Sequence, residues 1–300
     1  APMPAPPHSA SAVLTINLEA LAANWQSLAD RAPSAICAAV VKADAYGIGV
    51  GQAAPVLASA GCDTFFVATT EEGMELRGIL GPSPRILAFN GPLAATTPEL
   101  VANSIIPVVN DLGQIEIWSN TARKAGVSLA AALHIDTGMN RLGLPPEEVE
   151  LLSREPERLT GVDVELVMSH FACAEEHSHP KNKEQILRFQ RLKGALEAAP
   201  ASLAASSGIY LGDHAHFELV RPGAAIYGVN PTPTKPNPMS EVVHLQGKIL
   251  QTRQIQIQTV MIHHRTGARY KTVTLQHHLH LHHNQNRLFL LLHDCQLLHT

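Results

Sequence analysis

Between residues 35 and 230, short apolar runs of β character alternate with helical patterns, and nothing else in this 300-residue chain restricts its fold as sharply. Such alternation implies βα units on a parallel sheet. Eight runs read as strands: Ile36–Val41, Thr64–Ala68, Arg85–Phe89, Ile105–Val109, Ala130–Ile135, Val162–Met168, Ser202–Ala205 and Ala224–Tyr227. Each is separated from the next by enough chain for one helix. Thr70–Ile79, Asp111–Lys124, Pro146–Arg154 and Lys181–Ala198 carry helical spacing, several of them behind a Thr, Asp or Pro start signal. Eight strands so spaced predict an α/β fold, a closed (β/α)8 TIM-type barrel in preference to an open doubly wound sheet. A ninth run, Val13–Leu18, is expected to join an incomplete, mostly β domain that follows residue 230.

The punctuation of the chain supports that division. Residues 1–12, rich in Pro and Ala, read as a disordered leader without the basic and apolar regions of a signal peptide. The barrel is expected over residues 13–230. Four prolines within Asn230–Met239 predict an extended, exposed linker over 231–240. Within 241–300, Glu241–Gln258 still alternates like strands, but nine of the seventeen histidines fall after residue 262. Three readings fit that His- and Gln-rich end: a shifted reading frame, a tail binding Zn, Cu or Ni through His277, His278, His280, His282 and His283, or a tolerated disordered end.

Composition narrows the function classes. Apolar content of 45% suits a globular chain, and a net charge of −4 offers no basic field for nucleic acid. The longest apolar runs are far shorter than the roughly 18 residues a membrane span needs. Cysteines at 37, 62, 173 and 295 form no CxxC pair and suit a reducing cytoplasm.

Chemistry concentrates first at Val40-Val41-Lys42-Ala43-Asp44-Ala45-Tyr46-Gly47. A lysine that ends a barrel strand lies on the face where catalytic groups gather. Partly desolvated, its amine could form a Schiff base with a carbonyl cofactor; by position alone the plainer reading is a snorkelling strand-end lysine. Gly49-x-Gly51-x-x-Ala54 matches a dinucleotide fingerprint weakly, because residues 42–48 separate it from the strand.

Five segments in order carry a family resemblance: VVKADAYGIG at 40–49, LHIDTGMNRLG at 133–143, MSHFACAEE at 168–176, AASSG at 204–208 and LVRPGAAIYG at 219–228. Together they resemble alanine racemases over roughly residues 13–258. The resemblance implies a fold-type III barrel with an appended β-domain, a head-to-tail homodimer, and interconversion of L- and D-alanine for peptidoglycan supply. It implies pyridoxal 5′-phosphate held by Lys42 as an aldimine, with Lys42 also acting as one base. Tyr46, Ser207 and the amides of Gly223 and Ala224 would hold the phosphate, Arg221 would face the pyridine nitrogen, and His170 would lie between ring and Arg221. Arg141 would reach the phenolic oxygen and the substrate carboxylate.

Before the resemblance, each has a plain structural reading: surface or ion-pair arginines, a turn serine, a hydrogen-bonded barrel histidine. Placement on one barrel face is what favours the functional one. The chain also departs from its relatives. His134 stands where many carry a carbamylated lysine that steadies the arginine matching Arg141, so that support must be replaced or absent. The tyrosine that acts as second base lies in a GYADGY-like segment, which this sequence lacks; Tyr270, in TGARYK, matches the strand before it. The alternatives are therefore a broad-specificity amino acid racemase and a pyridoxal-phosphate-binding barrel without turnover. No metal is expected in the barrel site.

Overall fold

The computed structural model describes residues 10–196 and 199–249, with strand backbone at 260–261 and 272–273. Residues 1–9 and most of the chain after 249 lie outside the described residues, and with them most of the expected leader, whose last residue, Ala12, opens a strand, as well as Tyr270 and the histidine tail. The chain divides into a large unit, Ile16–Val243, and a small one formed by its two flanks.

The small unit contains β1 (Ala12–Ile16), which pairs with the strand at Val243–Gly247. Leu18, expected in β1, instead opens α1 (Leu18–Arg31), because the Asn17 side chain accepts from Ala20 N and caps the helix.

In the large unit the first expected strand is split. Ile36–Cys37 (β2) and Ala39–Val40 (β3) pair with different neighbours, which lets one stretch of chain close a ring. From β3 the sheet runs in parallel order through β4 (Thr64–Val67), β5 (Arg85–Ala88), β6 (Ile105–Val109), β7 (Leu129–His134), β8 (Val162–Met168) and β9 (Ala201–Ser202). Strand β10 (Leu219–Val220) pairs with β2, and a parallel bridge from Arg221 to Ala205 joins it to the β9 side. The eight-stranded barrel is thereby closed.

The eighth strand is not where the sequence placed it. Ala224–Tyr227 is a turn, with Ile226 N donating to Gly223 O and Tyr227 N to Ala224 O. A short apolar run cannot by itself distinguish a buried turn from a strand. Here Pro222 and Gly223 end the strand, and the apolar residues beyond them fill the core as a turn.

Helices cover the outside: α2 (Val50–Ser59), α3 (Thr70–Leu80), α4 (Thr97–Ala102), α5 (Leu112–Ala125), α6 (Pro146–Arg154) and α7 (Pro180–Lys193). Capping fixes their starts, as when Asp111 accepts from Gln114 N to open α5. The period-two alternation of the strands sorts the core into two clusters. Ala39, Val41, Phe65, Val67, Ile86 and Ala88 face the helices, whereas Ala38, Val40, Phe66, Leu87, Val108, Ala132, Leu166, Met168 and Leu219 fill the barrel. The interior is a packed plug, not a pore. The proline-rich run is not extended throughout: Asn230 Oδ1 accepts from Thr232 N and Oγ1, which turns the chain back and buries Thr232.

Candidate active site

The site is the next layer of the same barrel. Two residues beyond each inward-facing core residue, the chain again points inward, but now above the plug. Val40 leads to Lys42, Phe66 to Ala68, Leu87 to Phe89, Val108 to Asn110, Ala132 to His134, Met168 to His170 and Leu219 to Arg221. Six of these seven line a cavity of about 600 Å³ at the C-terminal ends of the strands, and Asn110 supports it from behind. Tyr46, Arg141, Ser207, Gly223 and Ala224 complete its wall, so all eight residues singled out in the sequence border one space.

The deep wall is tied together by hydrogen bonds. Arg221, only 1% exposed, donates from Nη1 to Ser202 Oγ and from Nη2 to Ser169 O at 2.6 Å. Nη2 also meets His170 Nδ1 at 3.4 Å. Burial lowers the Arg221 pKa to about 9, which leaves the guanidinium charged at neutral pH. His170 is driven the other way from charge: burial first, then Arg221, Arg141, His134 and Lys42, lower it to about 3. A neutral ring facing a guanidinium accepts through Nδ1, so its proton sits on Nε2.

His134 is held by Asn110, whose amide nitrogen donates to Phe89 O and Val108 O at 2.9 and 2.8 Å. The remaining amide oxygen faces His134 Nδ1 at 2.8 Å and can only accept, which places the proton on Nδ1 and leaves Nε2 an acceptor. Burial, with Arg221, lowers His134 to about 4.

The rim is built otherwise. Arg141 rides on the loop 136–143, exposed and without a hydrogen-bond partner among the described residues. The loop beneath it is fixed: Asp136 Oδ1 accepts from Gly138 N, Met139 N and Asn140 N, and Leu144 N donates to His134 O at 2.7 Å. Gly143, at φ +106°, would drive a Cβ within 2.9 Å of Asp136 N, so only glycine fits. The fully buried Gln185 ties this loop to the strand-eight side, donating to Thr137 Oγ1 at 3.0 Å and His170 O at 2.9 Å.

Lys42 is half-buried, its Nζ 5.9 Å from the Phe89 ring centre. The loop expected after it is a left-handed helical turn, Lys42–Gly47, and Gly49 stands at the start of α2 well away from β3. That separation leaves the dinucleotide pattern without its strand–turn–helix context.

At the other side, Ser207 opens a short 3-10 turn, Ser207–Leu211, and its hydroxyl has no partner among the described residues. Ser206, its neighbour in AASSG and not among the expected site residues, accepts from Gly223 N at 3.0 Å and Ala225 N at 3.2 Å. The Gly223 amide, expected to face an anion, is thus already engaged; the Ala224 amide between them has no backbone partner among the described residues. A Cβ on residue 223 would collide with the Tyr46 hydroxyl, and the Tyr46 and Tyr227 rings lie 4.5 Å apart. Tyr227 donates to Val40 O and is pushed far up by burial, which removes it as a proton carrier. Ser202, Ser206, Asn110 and Gln185 brace the cavity wall by hydrogen bonds, and none of them was among the expected site residues. The two-residue step from Val108 would have found Asn110.

No helix among the described residues is long and apolar enough to cross a membrane. A family model described as the N-terminal domain of alanine racemase matches residues 16–231. The catabolic alanine racemase of Mesorhizobium japonicum is 47% identical over 248 residues, covering 83% of this chain and 65% of that protein. The alanine racemase of Rhodospirillum rubrum is 45% identical, covering 82% and 66%. This chain therefore spans just under two thirds of the length of these relatives. Among solved structures, alanine racemase of Bartonella henselae with covalently bound pyridoxal phosphate superposes with a TM-score of 0.79 at 38% identity, covering 82% of this chain and 72% of that one. The enzyme of Streptomyces coelicolor gives 0.73 at 34%, covering 82% and 69%. The matching family model, the relatives and the barrel agree: the chain belongs to the alanine racemase family.

Proposed function

We propose that this chain interconverts L-alanine and D-alanine with pyridoxal 5′-phosphate held at Lys42. One observation carries the reading: Lys42, Arg141, His170, Ser207 and Arg221 border a single cavity on the barrel's C-terminal face. The cavity suits the group chemically. It offers an amine for a carbonyl carbon, a permanent cation against a ring nitrogen, and, at the Ser207 hydroxyl and Ala224 amide, two donors with no partner among the described residues. Gly223 leaves beside them the space a Cβ would fill.

When bound, pyridoxal phosphate supplies an electrophilic carbon and a conjugated ring over which charge at the substrate Cα spreads. Lys42 holds it and moves the Cα proton on its own face of the substrate. Arg221, fixed and charged, would face the ring nitrogen and disfavour its protonation, which would limit charge withdrawal into the ring. His170, neutral with its proton on Nε2, adds no competing cation. Arg141 grips the substrate carboxylate through its free guanidinium fork.

Inversion also needs a proton donor on the opposite face. Family resemblance assigns it to a tyrosine from a second subunit, so a homodimer belongs to this proposal; Tyr270 lies outside the described residues. A reducing cytoplasm accords with Cys37 and Cys62, buried thiols that desolvation pushes up in pKa. Supply of D-alanine to peptidoglycan and its catabolism both remain proposals; the names of the Mesorhizobium japonicum and Agrobacterium fabrum relatives favour the second.

Borohydride reduction of the cofactor-loaded chain followed by peptide mapping tests the reading. The pyridoxyl group is expected on Lys42; a label confined to other lysines refutes it. Proton NMR in D₂O, started from each enantiomer, then separates exchange of the α-hydrogen from inversion.

A further inference from the structure

The turn after Lys42 adopts a conformation its residues disfavour. Ala43, Asp44, Ala45 and Tyr46 have φ between 52° and 56°, where a Cβ crowds the following carbonyl. Four such residues in succession persist only where surrounding contacts over-determine them. Asp44 contributes from within the turn, its Oδ1 accepting from Val50 N at 2.7 Å. Backbone bonds from Ala45 N to Val41 O and from Gly49 N to Asp44 O add to it, and Glu72 contributes a restraint from outside the turn.

Glu72 Oε1 accepts from Ala43 N at 2.9 Å, and Oε2 accepts from Ala68 N at 2.7 Å. Its place in α3 makes this informative. Thr69 caps the helix by accepting from Glu72 N at 3.3 Å, and a glutamate three residues after such a cap ordinarily returns to the cap residue's own amide. Here it passes that amide by and bridges the end of β4 to the peptide joining Lys42 to Ala43. The Lys42 amine itself has no hydrogen-bond or ion-pair partner among the described residues, so its direction is set through the backbone.

We infer that Glu72 is a positioning residue, which fixes the Lys42–Ala43 peptide and thereby aims the Lys42 amine into the cavity. The inference rests on Lys42 being the cofactor lysine, and its test separates the two. In the full chain, amide hydrogen exchange at Ala43 and Ala68 is read by NMR. Covalent capture of pyridoxal phosphate by borohydride is read at Lys42 by peptide mass, with the exposed Lys124 as control.

Glu72→Ala should speed exchange of both amides and slow Lys42 labelling, each by about tenfold or more, with Lys124 unchanged. Glu72→Gln, which keeps the length and one acceptor oxygen, should recover part of both effects and serves alone if Glu72→Ala does not fold. A glutamate that merely caps α3 would lower the melting temperature and leave Lys42 labelling untouched; that result overturns the inference. Absence of label on Lys42 in the parent chain overturns the cofactor reading instead, and unchanged amide exchange at both Ala43 and Ala68 in Glu72→Ala then rejects the clamp itself.

Discussion

Two arginines border the cavity, and they are held in opposite ways. Arg221 on the deep wall is buried and bonded to Ser202, Ser169 and His170. Arg141 on the rim is exposed and unpartnered, with the order invested in the loop beneath it. A group that must present a fixed charge to a ring nitrogen belongs in a preorganised network. A group that must receive and release a carboxylate each turnover needs an open fork on a firm base. Stability and function should therefore divide between the two walls.

The largest effect is expected at Lys42, which joins them. Lys42→Ala should reduce deuterium exchange at the alanine α-carbon about 10⁴-fold while leaving urea unfolding unchanged, since a positioned base is lost but no packed contact is. Exchange that survives this change would place the base elsewhere. Next comes the deep wall. Arg221→Leu orphans Ser169 O and His170 Nδ1, while Ser202 Oγ keeps its bond to Leu219 O; at about 1–3 kcal/mol for each buried group left unpaired, urea denaturation should show a loss of about 2 kcal/mol or more. A loss under about 1 kcal/mol would mean the network relaxes freely, and the contrast between the walls would collapse.

Much of this division was legible in the sequence, for a physical reason. Parallel strands buried on both faces give continuous apolar runs, and seven of the eight expected runs coincide with strands. The eighth failed because Ala224–Tyr227 is apolar for burial as a turn. The chemistry-bearing residues fell inside five motifs, so Lys42, Arg141 and Arg221 could be named directly. The supports could not be named from motifs, although the two-residue step from Val108 leads to Asn110. Ser206, Asn110 and Gln185 are polar residues of common type whose roles arise from partners 17, 24 and 48 positions away. Lys42–Gly47 was unreadable too, because nothing in KADAY signals a left-handed turn; its bonds reach Val50 N from Asp44 and Ala43 N from Glu72, 29 positions away.

The rim supplies the third prediction. Arg141→Lys keeps the charge but loses the planar fork, so kcat/KM for alanine should fall about 10- to 100-fold while unfolding free energy stays within about 0.5 kcal/mol. Loss of stability on the scale of the deep wall would show that the loop depends on the Arg141 side chain, contrary to the bonds Asp136 makes.

The smallest effect is a pH dependence that again singles out the deep wall. His134 and His170 are lowered from 6.5 to about 4 and about 3, by burial first and then by Arg221 and their other neighbours. Both rings are neutral in the folded chain, whereas in the unfolded chain they take a proton near pH 6.5. Below that pH the unfolded state binds more protons, so stability is complete above about 6.5 and declines as acid is added, down to the folded values. Between pH 6.5 and 5, above most carboxylate titration, each ring should remove about 1–2 kcal/mol. Urea unfolding of the parent chain and of His170→Gln over that interval measures it, the variant losing roughly half the slope. Arg221→Leu, already less stable at pH 7, should also flatten the slope, because removing the guanidinium lets His170 titrate closer to its ordinary value. Equal slopes in all three chains would show that the deep wall admits protons as readily as the rim does.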